Sequence, residues 1–311
     1  MHMMSRTIEL LEVGPRDGLQ MEPQVVSTAV KIALIDRLLQ AGVRRIEVAS
    51  FVNPKKVPQM ADAECLLGQL HRPDGVYFTG LVLNRRGLER ALAAGCNEIG
   101  MVVAVSDTFN RRNQGASTQE SIAQWLQIAT AARAAGVRAQ VTISTSFGCP
   151  FEGEVPIEHV LDIAQRAAAA DPFEVCFADT IGVAVPAQVN ELLARFHALV
   201  PGMRLRCHFH NTRNTGLANA WAAIDAGVRT LDASVGGIGG CPFAPAATGN
   251  IASEDLIYLL ERSGVNTGVS LARLIQTARW LQGQLGHSVP SMLSKAGAFP
   301  SAAPDPADAV H

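Results

Sequence analysis

A stretch of helix-like apolar periodicity that ends in Ala-Gly, followed within a few residues by a strand-like run, recurs along this chain. Ala41-Gly42 leads to Ile46-Glu47-Val48, and Ala94-Gly95 leads to Ile99-Gly100-Met101-Val102-Val103. Ala135-Gly136 leads to Ala139-Gln140-Val141-Thr142-Ile143, and Ala226-Gly227 to Thr230-Leu231-Asp232-Ala233. Glycine ends helices through a left-handed turn, so each junction predicts the αβ turn of a repeated unit. Strands that alternate with helices call for parallel pairing. Completing the pattern predicts strands near 7–13, 45–51, 77–83, 98–105, 138–145, 173–179, 204–210 and 230–235. The matching helices fall near 27–41, 60–70, 86–94, 118–135, 157–170, 186–199, 214–226 and 253–263. Eight such units predict an α/β chain closed as a (β/α)8 TIM barrel. An open doubly wound sheet is the rival, but no Gly-x-Gly-x-x-Gly follows the first strand.

A further helix near 270–285 carries Leu271, Leu274, Ile275, Ala278, Leu281 and Leu285 on one stripe. It predicts a C-terminal helical extension over about 264–296, within one domain of residues 1–296. The Ala- and Pro-rich residues 297–311 are expected to be a flexible tail. A hydrophobic content of 48% and a charged content of 17% suit a large buried core. A net charge of −2 gives no reason to expect nucleic acid or an anionic membrane as partner. No apolar run approaches the ~20 residues of a membrane span. Six scattered cysteines without a Cys-x-x-Cys pair predict free thiols in the cytoplasm.

In a barrel of this kind, reactive groups belong at the carboxyl ends of the strands. Cys207-His208-Phe209-His210-Asn211 closes the seventh predicted strand, and alternation sends His208 and His210 to one side. Two imidazoles so spaced make half a metal site. The plainer alternative is a loop-capping histidine beside a core one. Other polar residues fall at equivalent ends: Arg16 and Asp17, Glu47 and Ser50, Asp179 and Thr180, Cys241 in a glycine-rich loop, and Asn250. Singly, Asp17 reads as a turn residue and Asp179 or Asn250 as a cap; together they point to one rim. Asp17, His208, His210 and Asn250 offer a mixed oxygen and nitrogen set suited to Mg²⁺ or Mn²⁺. Gly148-Cys149-Pro150-Phe151 repeats the Gly-Cys-Pro-Phe of 240–243, so pattern alone leaves open which cysteine reacts.

Glu12-Val13-Gly14-Pro15-Arg16-Asp17-Gly18-Leu19-Gln20 and Ser234-Val235-Gly236-Gly237-Ile238-Gly239-Gly240-Cys241-Pro242-Phe243-Ala244 resemble the 3-hydroxy-3-methylglutaryl-CoA (HMG-CoA) lyase family. The likeness runs from about Thr7 to Gly268, through Asp179-Thr180-Ile181-Gly182-Val183 and Gly249-Asn250-Ile251-Ala252-Ser253. It implies a metal-dependent carbon–carbon lyase that takes HMG-CoA to acetyl-CoA and acetoacetate. Asp17, His208, His210 and Asn250 would hold the divalent ion, with His208 also counted in the catalytic group. Arg16 would stabilise the enolate, and Glu47 would orient Arg16. Asp179 would act near the substrate hydroxyl, and Cys241 would protonate the acetyl-CoA carbanion as its loop closes. Ser50, Asn113 and Thr180 would contact the acyl-CoA. The resemblance also implies a homodimer or larger homo-oligomer.

The chain departs from the family pattern at Pro23, Phe151, Cys176, Ala178, Asn211 and Arg213. These changes lie around the pocket and keep the proposed ligands, so the same chemistry on a different branched 3-hydroxyacyl-CoA is the alternative. A related aldolase or synthase and a non-catalytic binding barrel are further from the pattern. Arg206 shares parity with His208 and should face the interior, where it needs a carboxylate; Glu12 or Glu47 is the expected partner.

Overall fold

In the computed structural model, residues 6–240 and 249–300 are described. Eight parallel strands close into a barrel in sequence order: β1 (Glu9–Glu12), β2 (Arg45–Ser50), β3 (Tyr77–Leu81), β4 (Glu98–Ala104), β5 (Arg138–Ser144), β6 (Glu174–Asp179), β7 (Leu205–Phe209) and β8 (Thr230–Ala233). Closure comes from β8 against β1, with Glu12 opposite Ala233. Around the outside run α1 (Thr28–Gln40), α2 (Ala63–Gln69), α3 (Arg85–Ala93), α4 (Asp107–Gln114), α5 (Thr118–Ala134), α6 (Ile157–Ala168), α7 (Pro186–Leu199), α8 (Gly216–Asp225) and α9 (Ser253–Arg262). The expected C-terminal extension is helical, as α10 (Leu271–Leu285) and the short α11 (Leu293–Ala296). Arg37 of α1 stacks over Trp280 of α10 at 4.6 Å, fixing the extension against the barrel's first helix. No helix among the described residues is long and apolar enough to cross a membrane.

The predicted αβ turns are present, with φ of +96°, +83°, +71° and +93° at Gly42, Gly95, Gly136 and Gly227. Among the described residues one α-helix was missed. Helix α4 (DTFNRRNQ) is polar on nearly every face, so apolar periodicity could not find it. Its signals are at the ends: the Ser106 hydroxyl accepts from the Phe109 amide, and Gly115 stops the helix at φ +76°.

Alternation along each strand divides the barrel in two. Ile46, Val48, Ile99, Met101, Val103, Val141, Ile143, Val175, Phe177, Leu205, Cys207 and Leu231 are buried and belong, all but Cys207 aliphatic or aromatic, to the apolar layer beneath the helices. The opposite parity fills the interior with polar groups. Fully buried Arg45 donates from Nε to Glu98 at 2.9 and 3.0 Å, from Nη2 to Glu174, and from Nη1 to Glu9 at 3.2 Å. Thr79 and Gln140 also donate to Glu98, at 2.7 and 2.9 Å. Arg206 extends the stack from Glu174 (3.1 Å) to Asp232. Its partners are therefore Glu174 and Asp232, not the expected Glu12 or Glu47.

Glu12 ties three segments together. Its carboxylate accepts from the amides of Gly14 (2.8 Å) and Val235 (2.9 Å) and from the Ser253 hydroxyl (2.5 Å). Burial pushes this carboxyl up to about 7, against the pull of those three donors. Between about pH 4.5 and 7 the folded protein therefore holds a proton that the unfolded chain has released, and stability falls as pH rises across that window. Glu12→Gln keeps an oxygen for both amides and an NH₂ for Ser253. The variant is expected to flatten the slope, removing at most on the order of 3 kcal/mol of stability change across the window, read by urea unfolding at several pH values. An unchanged slope would remove Glu12 as its source.

Candidate active site and metal centre

A cavity of about 660 Å³ opens at the carboxyl ends of the strands. At its β1 edge the chain makes one wide helical turn, in which the amides of Arg16, Asp17 and Gly18 all donate to the Val13 carbonyl (3.2, 2.7 and 3.2 Å). That turn delivers Arg16 and Asp17 side by side. Arg16 is held on two sides. Its Nε and Nη2 donate to the two Glu47 oxygens (2.8 and 3.0 Å), and its Nη1 donates to Asp17 (2.7 Å). A bidentate pair of this kind fixes the plane of the guanidinium, and the rest of the fork faces the cavity that Arg16 lines.

Across the mouth stand His208 on β7 and His210 just past its end, with ring centroids 5.1 Å apart. Ligand atoms of Asp17, His208 and His210 all lie within 4.8 Å of one another. Asn250 joins them by backbone pairing. It bridges His210 in antiparallel fashion, and the flanking bonds Asn211 N to Gly249 O (2.6 Å) and Ile251 N to Phe209 O (3.2 Å) lay its segment along the end of β7. Its amide NH₂ donates to Asp17 (2.9 Å) and to the Ile238 carbonyl (3.1 Å).

The electrostatics suit a cation. Burial pushes the Asp17 carboxyl up, but Arg16 and the two imidazoles outweigh it and hold it below the usual carboxylate range. Burial, reinforced by His208, drives His210 down to about 3, so its ring is neutral with a lone pair to give. Burial also lowers His208, but the Asp232 hydrogen bond and the charges of Asp232 and Asp17 prevail and raise it. Buried His210 Nδ1 and Asn250 Oδ1 have no hydrogen-bond partner among the described residues. Unpaired buried polar atoms are costly. Together with one carboxylate and two imidazoles, they fit a divalent ion with nitrogen and oxygen ligands.

The remaining expected site residues divide. Asn113, from the unforeseen α4, and Thr180 both line the cavity. The Thr180 hydroxyl is held by the Thr145 amide at 2.9 Å. Buried Ser50 is not a lining residue and reaches only Gln20, at 3.5 Å. Asp179 is aimed elsewhere than expected: its two oxygens accept from the amides of Val183 and Ala184, both at 2.9 Å, and it does not line the cavity. It has the parity of Phe177, so the strand turns it outward, and it fastens the loop that carries Thr180. Cys241 lies outside the described residues, although Gly240 before it lines the cavity. The cysteine of the twin motif, Cys149, is buried with its thiol 3.0 Å from the Ser106 hydroxyl and lines no part of the cavity. Gln140, Thr142, Ser144, Arg206 and Asp232 form the floor. Sequence reasoning missed most of these, although a carboxylate in the middle of the strand Thr230-Leu231-Asp232-Ala233 was a visible signal.

A closed parallel barrel with its polar groups and a candidate metal cluster gathered at the carboxyl rim is the class that fold and site define, and the comparisons place it. Residues 7–281 match the HMGL-like family, so the chain belongs to that family and is a carbon–carbon lyase. It is 46% identical over 300 residues to the (R)-citramalyl-CoA lyase of Chloroflexus aurantiacus, covering 93% of this chain and 95% of that one. It is 41% identical over 286 residues to a hydroxymethylglutaryl-CoA lyase of Bacillus subtilis, covering 92% and 96%. Among solved structures, an HMG-CoA lyase from Acinetobacter baumannii in complex with coenzyme A and 3-methylmalate superposes with a TM-score of 0.92 at 39% identity, covering 98% and 100%.

Gly239 (φ +101°) lets the chain pass close against this site. A Cβ there would lie 2.6 Å from Asn250 Nδ2 and 3.2 Å from the Asp17 carbonyl. Gly239→Ala is therefore expected to cost about 1–3 kcal/mol of stability and to weaken divalent-metal binding, read by unfolding and by Mn²⁺ titration. Gly283→Ala on α10, where a new methyl meets nothing within 4 Å, is the control and should be neutral or stabilising. Equal behaviour of the two variants would refute the steric account.

Proposed function

We propose that this chain is a divalent-metal-dependent lyase that cleaves HMG-CoA to acetyl-CoA and acetoacetate. The observation that carries the reading is the convergence of Asp17, His208 and His210 beside an arginine locked by Glu47. Asp17, His208, His210 and Asn250 would hold the ion, with Mg²⁺ or Mn²⁺ suiting the set. When bound, the ion would supply Lewis acidity that eases loss of the substrate's hydroxyl proton to water in the open cavity, and water in turn would restore the proton that the Cys241 thiol gives up.

The chain's own residues do the rest. Arg16 presents a permanent charge and parallel donors to the thioester oxygen as the carbon–carbon bond breaks and the electron pair moves into the enolate. Glu47 keeps those donors aimed, so no reorganisation is needed as charge develops. Cys241 gives a proton to the acetyl-CoA carbon. Asn113 and Thr180, on the cavity wall, contact the acyl-CoA. Ser50 supports Gln20, a lining residue, from behind. Asp179 acts through the Thr180 loop.

A second reading keeps the chemistry and shortens the acyl group. (R)-Citramalyl-CoA carries the same tertiary alcohol and methyl, with its carboxylate attached directly to the carbinol carbon, and cleavage releases pyruvate. The similarity to the Chloroflexus enzyme and the polar floor of Gln140, Thr142 and Ser144 favour it as the alternative. Acetyl-CoA release from each thioester, with Mg²⁺ and with a chelator, tests both. Metal-dependent release from either supports the lyase; the ratio of kcat/KM values assigns the acyl group. Release from neither would overturn both readings of the acyl group. Cys241→Ser is expected to keep Mn²⁺ affinity and lose about 10²-fold or more in turnover; parallel loss of metal would make the thiol structural.

A further inference from the structure

We infer that Asp232 is a positioning residue that selects which nitrogen of His208 faces the metal site. The inference rests on the metal-dependent reading above. His208 and Asp232 stand opposite each other in the β7–β8 register, and His208 Nδ1 lies 3.1 Å from Asp232 Oδ2. The same Oδ2 accepts from Arg206 Nη1. Arg206 is itself fixed on its other sides: Nη2 donates to Thr142 (3.0 Å), and Nε lies 3.1 Å from Glu174. Asp232 and Arg206 have side-chain exposures of 4% each.

An ionised carboxylate is an acceptor only. Facing one, His208 keeps its hydrogen on Nδ1, and the lone pair falls on Nε2. The neighbouring ligand has no such device, since His210 Nδ1 has no partner among the described residues. The two imidazoles of one site are thus held differently: one has its tautomer set from beneath by an ion pair, and the other is placed by backbone pairing alone. Arg206 secures the arrangement by fixing which Asp232 oxygen is presented.

The test uses the full-length protein without substrate. Mn²⁺ affinity is measured for wild type, Asp232→Ala and Asp232→Asn. Partners that orient metal-binding histidines contribute about 10–100-fold in affinity. Asp232→Ala is expected to lose that much, and Asp232→Asn, which keeps an acceptor oxygen, to recover most of it. A merely structural or charge-balancing role predicts equal losses in both variants and overturns the inference, as does wild-type affinity in Asp232→Ala. Wild type that binds no Mn²⁺ overturns the metal site itself, and this assignment with it. A readout independent of any variant is the ¹⁵N spectrum of histidine-labelled, metal-free wild type in mildly alkaline solution. It should show His208 protonated at Nδ1; protonation at Nε2 overturns the assignment.

Discussion

The interior of this barrel is charged, and the rest of the structure follows from the need to pair those charges. Arg45, Glu98, Glu174, Arg206 and Asp232 are all buried. Ions so buried are expensive unless each finds a partner. Here each does, in an unbroken stack: Glu98 to Arg45, Arg45 to Glu174, Glu174 to Arg206, and Arg206 to Asp232. Removing one member would strand its neighbours at a cost of about 3–5 kcal/mol. What the stack provides is orientation. It rises from the floor of the barrel to His208 and sets the geometry at the mouth from below.

Stability is drawn from the other side of the sheet. The aliphatic and aromatic residues of outward parity pack beneath the helices in one continuous core. That division lets the interior be polar without loss of the fold. The rim groups are then placed by backbone rather than by long side chains: the wide turn after β1 presents Arg16 and Asp17, the end of β7 presents the histidines, and a bridge to β7 brings in Asn250. Groups held this way lose little freedom when a ligand binds.

Most of the scaffold was readable in the order of residues. Ala-Gly junctions and alternating strands mark a repeated unit whose period is unambiguous, and the observed strands fall within two residues of the predicted ends. Periodicity was blind where a helix has no apolar stripe, as in α4, which carries Asn113 to the cavity. The candidate metal cluster was legible in part because strand alternation puts His208 and His210 on one side. Arg206 was correctly turned inward but given the wrong partners, since choosing among carboxylates requires knowing which strands are neighbours around the barrel. Asp179 shows the converse. Its position at a strand end suggested chemistry, while its parity, one residue out of step with Ala178, sends the carboxylate to the amides of Val183 and Ala184.

The amide of Asn250 donates to the carbonyl of Gly239 at 3.3 Å, and Gly249 pairs with Asn211 beside it. Residues 239 and 249–250 therefore meet in a single clasp, built beside the candidate metal ligands Asn250 and His210. A side chain added at 239 would press on Asn250 and on the Asp17 carbonyl at once, so change at this clasp is tied to change in the candidate ligands beside it.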